Sequence, residues 1–258
     1  MAGSVCKIST KLLGHVKRAP GLTHHLQIMR LSAQAEPSIK KHEELQQPMI
    51  DPLKHPDFFG VHEFFTVKDL FDARVHFGHK IGSLDDRMKP FIFGSRLGHL
   101  IFDLDKTAEY LRDALNFTAH IAFRGGIILF LCHHPQVTHL VEKTAVECGE
   151  YAHTRFWKDG TFTNSTRKFR AVTRLPELCI FLNTSNDVLK ESFAVRDAAK
   201  MCIPSVGIVD TNSNPNLITY PVPGNDDSPA SIQLYCKLFK EAILRGKSAR
   251  SKLEHHAE

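Results

Sequence analysis

The run IILFLC at residues 127–132 is apolar at every position, and it constrains the fold more than any other stretch. A strand with one wet face alternates apolar and polar residues, whereas a strand apolar on both faces belongs inside a parallel sheet covered on two sides. ELCIFLN (177–183) is a second buried strand of this kind, and SVGIVD (205–210) a third that ends in Asp. Helical stretches separate them. Ala108, Leu111, Leu115, Ala119 and Ala122 recur at helical spacing between Asp105 and about Arg124, where Gly125 and Gly126 stop the pattern. Val137, Leu140, Val141, Thr144, Ala145 and Cys148 mark a second helix over 136–148, and Phe193 to Met201 a third. A fourth opens with Ser228 and Pro229, a favoured start, carries Ile232, Tyr235, Phe239 and Ala242, and is expected to end at Gly246. Thr66 caps a short helix VKDLFDARVHF with Asp69 three residues on. HLIFDL (99–104) and YAHTRF (151–156) read as short strands. Strands alternating with such helices predict an α/β domain with a mainly parallel sheet and helices on both faces.

The ends of the chain differ from this middle. The 258-residue chain has net charge +5. Lys7, Lys11, Lys17, Arg18 and Arg30 precede the first acid, Glu36, so residues 1–35 hold the whole excess and the remainder is balanced. A basic, acid-free, Ser/Thr-containing leader without one apolar block has the make-up of a mitochondrial transit peptide rather than a secretory signal. The bulk charge therefore does not point to nucleic acid; only local clusters do. Residues 36–65, mixing Lys, Glu, Gln and Pro, read as an extended arm that drapes over something rather than joining a core, with Phe58 and Phe59 as possible anchors. Residues 66–246 form the α/β domain and 247–258 a basic tail. Six dispersed cysteines without a C-x-x-C pair read as core thiols. No stretch approaches the ~20 apolar residues of a membrane span.

Two segments carry chemistry. RVHFGHKIGSLDDRMKPFIFGSR (74–96) interleaves Arg74, His76, His79, Lys80, Arg87, Lys89 and Arg96 with aromatics. In it Val75, Phe77, Phe91 and Phe93 are expected to pin the loop to the sheet's rim while Lys80, Lys89 and Arg96 face outwards. Residues 155–174 hold Arg155, Lys158, Arg167, Lys168, Arg170 and Arg174 against Asp159 alone, among Phe156, Trp157, Phe162 and Phe169. Cations that neutralise phosphates beside rings that stack on bases are what RNA contact requires. Trp157 serves equally as a stacking ring or as filler against the core. Lys237, Lys240, Arg245, Lys247, Arg250 and Lys252 form a third cluster, read equally as a solvated face.

Against these stands an enzymatic alternative: a metal-dependent phosphate-ester hydrolase or nucleotide-binding enzyme using Asp103, Asp210 and the Asn225-Asp226-Asp227 group at the carboxyl ends of strands. No G-x-G-x-x-G, Walker A or G-x-S-x-G motif accompanies these acids. His133-His134 and His76/His79 lack a third ligand at local metal-site spacing. The sequence therefore yields no catalytic residue, no metal site and no small-molecule substrate.

RVHFGHK, MKPFIFGSR, FTN, GIVDTNSNP and PGNDDSP, in this order, resemble the universal small-subunit ribosomal protein two family, and the leader points to its mitochondrial branch. The resemblance spans about Val67 to Gly246. It implies a doubly wound sheet of flavodoxin-like order and a non-enzymatic constituent of the mitochondrial small ribosomal subunit. It also implies contacts with small-subunit rRNA and neighbouring ribosomal proteins, a mitochondrial matrix location, and no cofactor beyond structural Mg²⁺ brought by rRNA. The loops it carries over are Val75–Lys80, Met88–Arg96, Arg155–Asn164, ending at Asn164, and Asp210–Asp227. The chain departs from the family pattern where bacterial members insert a helical hairpin, here only about Ser165 to Arg174, and where Lys158 and Asp159 replace a usual glycine pair.

Overall fold

The computed structural model describes residues 52–187 and 190–257. The leader and the first part of the arm, to Asp51, lie outside them. Five strands form a parallel sheet: β4 (Ile128–Leu131), β5 (Tyr151–His153), β6 (Leu178–Phe181), β9 (Ser205–Val209) and β10 (Tyr220–Pro223). From one edge the order is β5-β4-β6-β9-β10. The first strand of this set lies second and the later strands extend to one side, which is the flavodoxin-like order with its switch point between β4 and β6. Between β6 and β9, two short strands, β7 (Ser185–Asp187) and β8 (Lys190–Glu191), pair antiparallel apart from this sheet.

Both faces of the central strands are buried, as their unbroken apolar runs require. Ile128, Phe130, Leu178, Ile180, Val206 and Ile208 face α2 (Leu104–Phe123), α3 (Thr138–Cys148) and α6 (Pro229–Ala257) in one core. Leu131, Cys179, Phe181 and Val209 face α5 (Phe193–Lys200) together with Trp157, Phe162, Met88 and Phe102 in a second. On α2 the expected stripe Ala108, Leu111, Leu115, Ala119 and Ala122 is almost wholly buried. Burying each leucine there contributes about 1.5–3 kcal/mol.

Several local expectations fail for identifiable reasons. HLIFDL is not in the parallel sheet: β3 (His99–Phe102) is the centre of a separate antiparallel sheet between β1 (Phe77–Lys80) and β2 (Ile92–Arg96). The first helix, α1, spans only Val67–Asp72, with its Thr66/Asp69 capping box in place, because Arg74 adopts φ 62° and turns the chain out. Tyr220–Pro223 falls within Asp210–Asp227, expected as a loop, yet it is a strand although Pro221 and Pro223 could not serve a central one. Its place at the sheet edge resolves this, since an edge leaves one row of N–H groups unneeded. Gly246 does not end the last helix, which runs to Ala257. A Cβ there would lie 2.5 Å from the Ala119 carbonyl oxygen and 3.0 Å from the Ala122 Cβ, so the glycine lets α6 cross α2 closely. The stretch 247–257, read as a tail, is therefore helix. Finally, the end of the arm joins the domain's own core: Phe59, Val61 and Phe65 are buried in it, and Arg245 donates to the Phe59 carbonyl at 3.0 Å.

Candidate nucleic-acid interface

The segment 74–96 folds over the carboxyl ends of the parallel strands. Leu100 and Phe102 of β3 face inwards, and His79 N donates to Thr211 Oγ1 at 3.0 Å. A Cβ on Gly78 would lie 2.5 Å from Thr211 Cγ2, so this close approach needs glycine. Val75 is fully buried and Phe91 half-buried, as expected. Phe77 and Phe93 are not the anchors the sequence suggested; they are 46% and 82% exposed. A bulge explains Phe77: the register shifts between Phe77 and Lys80, so Gly78 and His79 both turn inwards while Phe77 and Lys80 face out. His76 is buried between two rings, 4.5 Å from Phe71 and 4.2 Å from Phe77. It is no surface contact, and desolvation holds its pKa below the ordinary value. Arg74, Lys80 and Arg96 are exposed with no ion pair among the described residues. Arg87 and Lys89 are exposed too, but they face their own acids, Asp85 at 4.0 Å and Asp86 at 2.7 Å.

His79 is the residue whose setting was least visible in the sequence. Its Nδ1 lies 3.2 Å from Asp210 and its Nε2 3.3 Å from Asp227, while His134 Nε2 stands 3.8 Å from Asp227. The hydrogen bond to Asp210 raises the His79 pKa against the opposing effect of burial. One ligand atom from each of His79, Asp210 and Asp227 falls within 4.8 Å of the others. The third ligand missing at local spacing is thus supplied across the fold, and an imidazole with two carboxylates suits a divalent cation. Beside them Asp226 is fully buried; desolvation first, then the Asp210 carboxylate, pushes its pKa well up.

The second basic segment, 155–174, lies in the connection between β5 and β6, with one short helix, α4 (Ser165–Phe169), and Asn164 exposed just before it. Trp157 is 5% exposed and its Nε1 donates to Asp197 at 3.0 Å, so it fills the core and offers no stacking face. Arg155, Lys158, Arg167 and Arg170 are exposed without an ion pair among the described residues. Lys168 is tied to the carbonyls of Lys158 and Asp159 at 3.0 and 3.1 Å, and Arg174 to Glu177 at 2.5 Å. The C-terminal cluster is largely spent inside the fold. Lys240 meets Glu147 at 2.5 Å, Lys247 pairs with Glu150, and Arg250 meets Glu254 at 2.7 Å.

The switch point, where an enzyme of this fold would bind its ligand, is filled. His134 and Asn183 side chains meet across it at 2.5 Å, and the remaining space beside Cys132, His133 and Asn183 is about 20 Å³. That is room for water but not for a nucleotide or sugar ring. No described helix is long and apolar enough to cross a membrane.

The chain matches the family model described as Ribosomal protein S2 in two segments, residues 70–178 and 165–246. It is 60% identical over 204 residues to the Bos taurus protein "Small ribosomal subunit protein uS2m", covering 79% of this chain and 70% of that one. It is 35% identical over 229 residues to "Small ribosomal subunit protein uS2" of a Nitratiruptor species, covering 72% and 84%. It is 34% identical over 221 residues to the protein of that name from Wolbachia pipientis wMel, covering 70% and 78%. The bacterial alignments are longer than the share of this chain they cover, so those relatives carry residues this chain lacks. The two family segments meet at 165–178, around α4.

Proposed function

The chain belongs to the ribosomal protein S2 family, and on that premise we propose that it is a structural constituent of the mitochondrial small ribosomal subunit. In this reading it works in the mitochondrial matrix, binding small-subunit rRNA and neighbouring ribosomal proteins, and has no catalytic role. The observation that carries the mitochondrial assignment is the 60% identity over 204 residues to the bovine uS2m protein.

The geometry supports the division of labour. Exposed cations without an ion pair among the described residues stand in two places: Arg74, Lys80 and Arg96 on the small sheet and its approach, and Arg155, Lys158, Arg167 and Arg170 on the loop around α4. These are the phosphate-facing set, with Arg87, Lys89, Lys168 and Arg174 as secondary contacts whose charge is already shared. Because the charge beyond residue 35 is balanced, protein neighbours hold this chain as much as rRNA does. The leader 1–35 acts as the transit peptide, and the arm before Pro52 serves as a protein-binding element. Any Mg²⁺ arrives with the rRNA, and His79, Asp210 and Asp227 are the side chains that would meet it.

Gradient sedimentation of mitochondrial extract tests this. The chain should co-migrate with small-subunit rRNA. A soluble pool near its own 29.1 kDa that hydrolyses a phosphate ester would refute the assignment.

A further inference from the structure

The outward face of the three-stranded sheet is exposed among the described residues, and its register fixes which residues lie side by side. Lys80 stands opposite His99, and His99 opposite Arg96, so these exposed side chains form one row across β1, β3 and β2. Adjacent strands lie about 4.8 Å apart, which sets Lys80 and Arg96 roughly 10 Å apart across the central strand. Neither has an ion pair among the described residues. The next row on the same face is Phe77, Ile101 and Gly94, two residues along β3 from His99. A Cβ on Gly94 would meet nothing within 4 Å, Ile101 is half-buried and Phe77 is 46% exposed. A row with two cations therefore adjoins a flat apolar strip ending in an open ring.

That ring is held in place. Phe77 packs on His76 at 4.2 Å, and His76 lies parallel to Phe71 at 4.5 Å and 7°. Phe77, Lys80 and His99 also line one concavity of about 670 Å³ together with His79, Asp210 and Asp227. The two carboxylates there are both engaged by His79. Uncompensated cations call for an anion, and an exposed ring beside them calls for a planar apolar group one step away. A duplex satisfies only the first demand, because its bases are stacked on each other. An unpaired nucleotide satisfies both, with its base on the ring and its backbone on the cations.

We propose that this sheet face takes an unpaired nucleotide of the small-subunit rRNA, stacking its base on Phe77 and placing flanking phosphates on Lys80 and Arg96. This rests on the ribosomal reading above and adds to it a specific site, a single-stranded target and a role for a residue expected to be buried.

The test uses small subunits isolated from mitochondria that express the tagged full chain, irradiated with ultraviolet light and analysed by mass spectrometry of the tagged protein. A nucleotide adduct on the peptide bearing Phe77 is expected. Phe77→Ala should abolish that adduct and weaken retention of the chain on salt-washed subunits about tenfold, Phe77→Trp should restore retention, and Phe93→Ala should change neither. Since Phe77 is half-exposed, unchanged thermal melting of Phe77→Ala verifies that the variant folds. If the chain sediments with the subunit but the Phe77 peptide carries no nucleotide, or is cross-linked to a protein, the proposal fails while the ribosomal assignment stands. If the chain does not sediment with the subunit, both fail.

Discussion

Gly246→Ala is the substitution whose sign separates two accounts of this fold. On an open helix face, glycine to alanine stabilises by about 1 kcal/mol through helix propensity. Gly246 has no positive φ, so if its face of α6 were open the change would be favourable. In the structure the added Cβ would lie 2.5 Å from the Ala119 carbonyl oxygen, 3.0 Å from the Ala122 Cβ and 3.1 Å from the Phe123 amide nitrogen. Two of these three are backbone atoms of α2, so relief requires the helices to move apart. Forcing a methyl group into such a contact costs about 1–3 kcal/mol, and the backbone obstruction places this case at the upper end. The propensity gain offsets only part, leaving a net loss of roughly 1–2 kcal/mol by the same figures. For a domain of this size, Tm moves about 2–4 °C per kcal/mol. Thermal unfolding of the full chain followed by circular dichroism should therefore show a fall of roughly 2–8 °C on that scale. Gly246→Val should fall further. An increase in Tm for Gly246→Ala would show that α2 and α6 do not cross as described.

Trp157 is the only tryptophan, so its fluorescence reports one site: emission should be blue-shifted, poorly quenched by iodide, and unchanged when single-stranded RNA is added. Trp157→Phe should cost about 1–3 kcal/mol, because Asp197 is then left short of a buried donor; quenching of the native indole by RNA would contradict the burial. Burial lowers the pKa of His76, His120, His134 and His153 below the ordinary 6.5, whereas His79 is raised. For each lowered group the unfolded chain takes up its proton first as pH falls, so stability is full above about 6.5 and is lost below it, until the folded groups protonate in turn. His79 and the buried Asp226, both raised, work in the opposite direction, so each lowered histidine is read by difference, as its own contribution to the slope of Tm between about pH 7.5 and about pH 5.5. His76→Leu should shift that slope towards higher Tm at the acid end, and an unchanged slope would remove His76 from the account.

What could be read from the sequence follows from the range of each interaction. The central strands and the α2 stripe are legible because solvent exclusion writes itself directly into periodicity. Ala108, Leu111 and Leu115 needed only their own helix to be recognised. The edge strand Tyr220–Pro223 was obscured because its prolines are tolerated only at an edge, and edge position is a property of the assembled sheet. Gly246 illustrates the same limit, since a glycine that stops a helix and one that admits a neighbouring helix look alike in one dimension. The His79 cluster is further from view: His79 and Thr211 are 132 residues apart, and neither local ligand spacing nor composition carries that contact. Trp157 was ambiguous for a chemical reason, as the same indole suits a base or a core, and only the Asp197 acceptor decides between them.

Counting basic residues by segment overstates how much charge faces outwards. The stretch 237–252 looked as cationic as the loop around α4, yet Lys240, Arg245, Lys247 and Arg250 each meet a glutamate, and Arg245 also holds the arm through Phe59. Those ion pairs fasten α6 to α3 and to Glu150 beyond it, and secure its own last turns; apart from the one to buried Glu150 they are partly exposed and add little stability individually, but they remove charge from the surface. On the small sheet the logic reverses. Lys80 and Arg96 flank His99 in a row without an ion pair among the described residues, although Asp210 and Asp227 share a concavity with Lys80, and Phe77 is turned out beside them by a bulge. A chain with balanced charge beyond residue 35 has little cation to spare. Two cations without an ion pair and an open ring on one face are what the proposed unpaired nucleotide would meet there; the loop around α4 offers a second such set.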